Sequence, residues 1–221
     1  MNGGSFFTIH SSLYTIHQFK MGIFIILVFG AYLLGSIPFG LLISRLFKGV
    51  DIRQVGSGNI GATNVLRMVG RVPGAITLFL DGAKGFLPVI AMRWVGGSEA
   101  WVTGAGLAAL LGHLYPVFLG FKGGKGVATG FGALLGAMPM VAIFGVGIWV
   151  GVALVWRYAS LAAMVAASCI PFLVWLFDGR TPYFLFSGIL AFFIIYRHQE
   201  NIRRLLAGIE SRIGQKITAD G

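Results

Sequence analysis

The 221-residue chain is 57% hydrophobic and only 11% charged, against about a quarter charged in ordinary soluble domains, which excludes a soluble globular enzyme. Its net charge of +10 is read by position, because Lys and Arg in a membrane protein mark cytoplasmic loops before any nucleic acid; with no DNA- or RNA-binding motif, nucleic acid is left out as a partner. The single cysteine, Cys169, lies in an apolar stretch, so no disulfide forms and a buried structural thiol is expected.

Residues 1–20 are polar-aromatic, too weakly apolar for a signal peptide and without a clear cleavage site. Met21 opens a strongly apolar run and reads as the functional start. A disordered N-terminal extension over 1–20 is therefore expected, then a single polytopic membrane domain over 21–221. His10 and His17 receive no role. The first span runs from about Gly22 to Ser44, with Gly35, Ser36, Pro38 and Gly40 in its last third, where Pro38 removes a backbone hydrogen bond. Arg45 and Lys48 end it, and a polar stretch follows from Val50 to Arg71. A second span covers Val72 to Trp94, in which Asp81 and Lys84 share a helix face three residues apart and can pair. Such a pair is either structural or close to a site. A third span, Trp101 to Leu119, contains His113 and Pro116 and leads into GFKGGKG (120–126).

As one helix, residues 127–156 would measure about 45 Å, much longer than a ~30 Å hydrocarbon core. Gly136 to Pro139 offers a break, predicting a short element to about Ala137 and a full one from about Met138 to Trp156. Spans at Leu161–Phe177 and Pro182–Tyr196 follow. The tail is amphipathic, with Ile202, Leu205, Leu206 and Ile209 on one side. The expected fold class is an all-α integral membrane protein of about seven transmembrane helices, one of them short. Its polar Gly-rich loops lie on the cytoplasmic side. With the N-terminus outside, thirteen of the 17 Lys/Arg fall on inner loops or the C-terminal tail, three fall outside (Lys20, Arg93, Arg180), and Lys84 is intramembrane. That is the positive-inside pattern. A single crossing over 127–156 would send Arg157 and the basic tail outside.

Three polar stretches then share the inner side. In GSGNIGATNVLR (56–67), Gly56, Gly58 and Gly61 let a ligand approach the backbone, and Ser57, Asn59, Thr63 and Asn64 add neutral hydrogen-bonding groups. Arg67 adds a planar cation suited to phosphate. A helix from Ala62 to Val69 would set the glycines at its N-terminus, where an anion is favoured. The string G-x-G-x-x-G is present, but a dinucleotide site needs a preceding buried strand that this chain lacks; the bland alternative is a flexible loop between membrane helices. In the second stretch Lys122, Gly123, Gly124, Lys125, Gly126 and Thr129 suit another phosphate. Its spacing is one residue short of a P-loop, and a lipid-facing basic loop is the alternative. In the third, His198, Asn201 and Arg204 recur at i, i+3 and i+6 beside Arg203; His198 can donate to a phosphate or accept a hydroxyl proton. An interfacial helix end is its bland counterpart.

No Ser–His–acid arrangement or metal-ligand spacing is legible. The pattern points to chemistry on phosphate groups with an activated donor, no cofactor and no metal, driven by orientation and electrostatics. GSIPFG (35–40), GSGNIGATNVLR (56–67), LDGAKG (80–85), GHLYPVFLGFKGGKGVAT (112–129) and RHQENIRRL (197–205) resemble the signature stretches of the bacterial acyl-phosphate:glycerol-3-phosphate acyltransferase (PlsY) family, with the likeness running from about Met21 through the tail. The resemblance implies a seven-helix enzyme of the bacterial inner membrane, C-terminus cytoplasmic. It would move an acyl group from acyl phosphate to the 1-hydroxyl of glycerol 3-phosphate, giving lysophosphatidic acid and phosphate, with membrane lipids as surroundings and neither acyl-CoA nor acyl-carrier protein as donor. By motif position Ser57, Arg67, Lys125, His198 and Asn201 match the family's active-site residues, and the loop around Asn59, Thr63 and Asn64 holds phosphate. Ser36, Arg45, Asp81, Lys84 and His113 are supporting candidates. A transporter of a phosphorylated metabolite is the rival class, since broken helices and intramembrane charge also serve transport; it expects an inverted repeat, and none is seen.

Overall fold

The computed structural model describes residues 3–215, with side chains from Gln18 onward. Among these residues the chain is all-helical, with ten α-helices, two short 3-10 helices and no strand. The helix α1 (Gly3–Ser36) passes from the leader into the first apolar run without a break at Met21; residues 1, 2 and 216–221 lie outside the described residues. The first span is kinked where the sequence places Pro38: α1 stops at Ser36, Pro38 supplies no N–H, and α2 (Phe39–Lys48) restarts with a strongly one-sided apolar face.

Seven apolar elements follow the expected order. Five stretches are long and apolar enough to cross a membrane: Gln18–Lys48, Arg71–Trp94, Glu99–Leu119, Pro139–Trp156 and Ala159–Phe177; Val127–Ala137 and Thr181–Arg197 are shorter. The corresponding helices are α4 (Arg71–Trp94), α5 (Glu99–Leu114), α6 (Val127–Ala137), α7 (Pro139–Trp156), α8 (Ala159–Phe177) and α9 (Thr181–Arg197). A short α3 (Ala62–Met68) precedes α4, and α10 (Gln199–Leu206) follows α9. The chain is an integral membrane protein of this all-helical class.

The break between α6 and α7 falls at Met138, where Pro139 begins the next helix. With 11 residues, α6 reaches about 16 Å into the bundle. Its last carbonyl, Ala137 O, has no intrahelical partner and accepts a hydrogen bond from the Arg93 guanidinium at the end of α4. Arg93 also reaches the Tyr183 hydroxyl at 3.3 Å. The same end of the bundle holds Arg180, paired with Glu99 at 2.5 Å and Asp178 at 2.6 Å. The chain that leaves the opposite end at Gly126 returns to that end at Arg157, whose carbonyl accepts from Ile213 N–H at 2.6 Å in the C-terminal tail. Two elements, not one crossing, therefore occupy 127–156.

Small residues set the packing. A Cβ on Gly85 would run into the Thr129 carbonyl, and one on Gly132 into the Gly82 carbonyl, so α4 and α6 touch backbone to backbone. The main core gathers residues such as Val89, Leu110, Leu134, Val141 and Phe186. A smaller cluster of Leu41, Ile52, Ile60, Val65 and Val69 lies under the first polar loop. Cys169 on α8 is half-buried.

Candidate active site

The first polar loop is shaped from beneath. Ile52, Ile60 and Val65 sink into the smaller apolar cluster, while Asp51 accepts the Arg53 N–H at 3.1 Å and starts a 3-10 turn over Ile52–Gln54. Asn64 ties the rest together. Its Nδ2 donates to the carbonyls of Ile52 (3.2 Å), Val55 (3.0 Å) and Asn59 (3.0 Å), and its Oδ1 accepts the Ser57 N–H at 3.1 Å. Gly56 takes φ +60, and a Cβ there would strike Asn64 Oδ1; only glycine fits. Asn59 Oδ1 accepts the Gly61 N–H at 2.8 Å. Ser57 and Thr63 stay exposed.

In the second stretch, the Gly123 N–H donates to Leu114 O (3.2 Å) and the Gly124 N–H to His113 O (3.1 Å). Their own carbonyls accept from the Arg197 guanidinium at 2.7 and 3.0 Å. This fastens the segment to α5 and α9 and projects the Lys125 ammonium to the Asn201 side-chain oxygen, to which it donates. At the α9–α10 corner His198 Nδ1–H donates to Ile194 O at 2.7 Å, which leaves Nε2 with its lone pair.

One cavity of about 1270 Å³ joins these pieces. Its polar end is lined by Gly56, Ser57, Asn59, Gly61, Thr63, Arg67, Lys125, Gly126, His198, Asn201 and Arg204. The rest is apolar, between α4, α6, α7, α8 and α9, with Phe79, Phe86, Phe131, Trp149 and Ala167 among its walls. Phe79 and Leu87 on α4 and Val146 and Val150 on α7 line it while also exposed on the outer surface, so the cavity opens sideways where lipid would stand.

Burial, then the Arg204 cation, pushes the Lys125 ammonium down to about 8, with Glu210 opposing. Burial pushes His198 down to about 4, only partly offset by its bond to Ile194 O. The imidazole is neutral at ordinary pH. Arg67, half-buried, is lowered by burial, though it keeps its charge.

Several expected ligands are used otherwise. Asn64 spends its amide on hydrogen bonds inside the loop while also touching the cavity wall. Gly123 and Gly124 have committed backbone donors, Gly58 is off the cavity wall, and Lys122 is exposed away from it. Thr129 is fully buried, its hydroxyl 3.2 Å from His113 Nδ1. The helix α3 is seven residues long, and Gly61, Ala62 and Thr63 at its N-terminus line the cavity. Among the supporting candidates, Ser36 bonds back to Tyr32 O (2.9 Å) and Arg45 pairs with Asp51 (3.0 Å). Lys84 sits between Asp81 Oδ1 (2.9 Å) and Ile37 O (2.8 Å), fully buried. Asp81 and His113 touch the cavity edge, with Asp81 Oδ1 3.7 Å from His113 Nδ1.

Two residues at the polar end went unnoticed in the sequence. Ser160, at the start of α8, donates to Glu210 Oε1 at 2.6 Å, and Glu210 in the tail beyond α10 also binds Asn201 and Arg204. An acid inside a basic tail was the only available signal.

The family model described as glycerol-3-phosphate acyltransferase matches residues 25–208. Among curated relatives, the glycerol-3-phosphate acyltransferase of Geotalea daltonii is 51% identical over 187 residues, covering 85% of this chain and 96% of that protein. That of Aquifex aeolicus is 51% identical, covering 84% and 97%. The fold is similar to the crystal structure of PlsY (YgiH), an integral membrane glycerol 3-phosphate acyltransferase, in its glycerol 3-phosphate form. Its TM-score is 0.83 and its identity 47%, and the match covers 86% of this chain and 96% of that one. The lysophosphatidic acid form gives a TM-score of 0.80 at 46% identity, covering 86% and 95%.

Proposed function

The chain belongs to the glycerol-3-phosphate acyltransferase family, and on that footing we propose that it takes its acyl group from acyl phosphate. The enzyme acylates glycerol 3-phosphate to lysophosphatidic acid, a step of phospholipid synthesis. The acceptor is the 1-hydroxyl and the second product is inorganic phosphate.

One observation carries this reading: a single cavity with a cationic, hydrogen-bonding end and an apolar remainder that opens sideways. Both substrates bear phosphate and one bears a long acyl chain, so a two-part cavity of this kind can hold the reacting atoms together at its polar end. Arg67 and Lys125 offset phosphate charge. Ser57, on the exposed side of its loop, offers a hydroxyl to a phosphate oxygen. His198, neutral and with Nε2 free to accept, orients the glycerol hydroxyl, and Asn201 with Arg204 holds the acceptor. The hydroxyl oxygen bonds to the acyl carbonyl carbon, the carbon–oxygen bond to phosphate breaks, and the departing phosphate takes the hydroxyl proton. No acyl-enzyme forms. A base at about 4 is too weak to drive that proton transfer near neutral pH, which supports the phosphate as acceptor.

The thirteen-to-three distribution of Lys and Arg supports seven crossings, with the N-terminus outside and the C-terminus and polar end in the cytoplasm of a bacterial inner membrane. Residues 21–221 form the single membrane domain in this reading, and 1–20 an extension to it.

The purified protein, in detergent with chelator, is incubated with palmitoyl phosphate and labelled glycerol 3-phosphate, with palmitoyl-CoA in parallel. Labelled lysophosphatidic acid from palmitoyl phosphate alone is expected. Ester formed from palmitoyl-CoA alone would overturn the donor assignment.

A further inference from the structure

The polar end of the cavity contains a carboxylate that the transfer reaction does not consume. Glu210 is 8% exposed and stands among cations that should bind phosphate. Asp81, the other acid lining the cavity, is matched by Lys84 within the helix packing. An acid beside a phosphate subsite is unfavourable unless it organises something there.

The tail that delivers Glu210 is held by the α7–α8 connection. Ile213 N–H donates to Arg157 O (2.6 Å), Arg157 donates to Ile213 O (3.0 Å), and Arg212 Nε reaches the Tyr158 hydroxyl (3.2 Å). Next to Glu210, the Ser211 carbonyl accepts from Arg67 at 3.1 Å. Glu210 Oε1 accepts from Ser160 Oγ at 2.6 Å and Asn201 Nδ2 at 2.7 Å, and Oε2 accepts from Arg204 Nε at 2.7 Å. An amide has one donating and one accepting end. With Nδ2 committed to Glu210, Asn201 must present Oδ1 to Lys125, whose ammonium donates to it. Arg204 gives Glu210 its Nε edge and keeps its remaining donors for a ligand.

We propose that Glu210 is a positioning residue for acyl transfer: it fixes the Asn201 amide and the Arg204 guanidinium, and through Asn201 it places the Lys125 ammonium at the polar end of the cavity. This rests on the acyltransferase reading above and assigns the C-terminal tail a part in that same site. The charged groups acting on Lys125 are Arg67 on α3, Arg197 on α9, Arg204 on α10 and Glu210, with His198 at the corner. Glu210 is the acid among them, and it opposes the loss of the lysine proton. Burial pushes the Glu210 carboxyl up, but hydrogen bonds from Ser160, Arg204 and Asn201 more than offset this, so it stays ionised.

The test uses full-length wild type, Glu210→Gln, Glu210→Asp, Asn201→Ala and the Asn201→Ala/Glu210→Gln double variant in detergent. Binding of radiolabelled glycerol 3-phosphate and turnover with palmitoyl phosphate are both followed from about pH 6 to about pH 9.5, spanning the fall of Lys125. Glu210→Gln is expected to weaken binding and lower kcat/KM about tenfold or more, and to move the alkaline fall of both to lower pH. Glu210→Asp recovers part of the loss. In the Asn201→Ala background the Glu210→Gln change costs less than it does alone, because the two act through one chain of bonds. An alkaline limb that stays at the wild-type pH overturns the proposal, even where stability or activity drops. A gain in activity also overturns it, since the carboxylate would then merely compete with phosphate. Failure of wild type to use palmitoyl phosphate, with the binding shift intact, would sink only the donor assignment.

Discussion

Replacing Asn64 by Ala separates a loop organiser from a phosphate ligand. The side chain is 3% exposed and makes four hydrogen bonds, all within residues 52–64. Three of them share the two Nδ2 protons, so the effective number is nearer three, at about 1 kcal/mol net each. Water can reach part of the opened loop, which lowers the loss to about 2 kcal/mol, or roughly thirtyfold in the loop's order–disorder equilibrium constant. Only the ordered loop presents Ser57 and Arg67 together, so kcat/KM should fall severalfold, with about thirtyfold as the ceiling. The alanine variant should also exchange the amide hydrogens of residues 52–61 faster, the Ser57 N–H above all, because its acceptor is Asn64 Oδ1. Hydrogen exchange by mass spectrometry, run beside steady-state kinetics, reads both. A variant that loses affinity for one substrate while its loop amides exchange at the wild-type rate would refute this assignment and return Asn64 to direct ligand contact.

Other consequences follow from the same geometry. Lys125, held down at about 8, is charged below that pH and neutral above it, so kcat/KM should fall as pH rises through about 8. His198, at about 4, is already neutral there and should add no step near its ordinary 6.5; a step that survives correction for substrate phosphate ionisation would contradict a neutral imidazole. His198→Ala should lower kcat/KM about ten- to a hundredfold, and neither raised pH nor added imidazole should repair it; repair would make His198 a general base. Gly132→Ala sets a Cβ 2.8 Å from the Gly82 carbonyl carbon, should cost about 1–3 kcal/mol and should lower the Tm in detergent. An unchanged Tm would mean that α4 and α6 are not in backbone contact.

What the sequence disclosed was whatever repeats along it. The seven apolar runs, the break near Pro139 and the shared face of His198, Asn201 and Arg204 all follow from helix period and hydropathy, and the structure has them at those positions. Residue type was less informative than residue partner. Asn64 and Thr129 carry the right groups for a phosphate, yet one closes its own loop and the other faces His113, because hydrogen bonds are assigned by three-dimensional neighbours. Glycine was ambiguous in the same way. Gly126 lines the cavity, whereas Gly123 lies so close to the end of α5 that a Cβ there would run into the His113 carbonyl.

The largest omission, Glu210 with Ser160, has a physical cause of its own. These residues are 50 apart in sequence, and the tail finds its place only after α6 and α7 have turned the chain back to the polar end at Arg157. Had residues 127–156 formed one crossing, Arg157 would stand at the far end of the bundle and the tail would lose its dock. The helix break at Met138 therefore has a consequence far beyond the local backbone. It brings the start of α8 to the end of the bundle where Lys125 and Asn201 meet, and it gives Glu210 a hydroxyl and an amide to bind instead of solvent. In this fold the helix break at Met138 and the charge balance at the polar end are linked, and a change that removed the first would disturb the second.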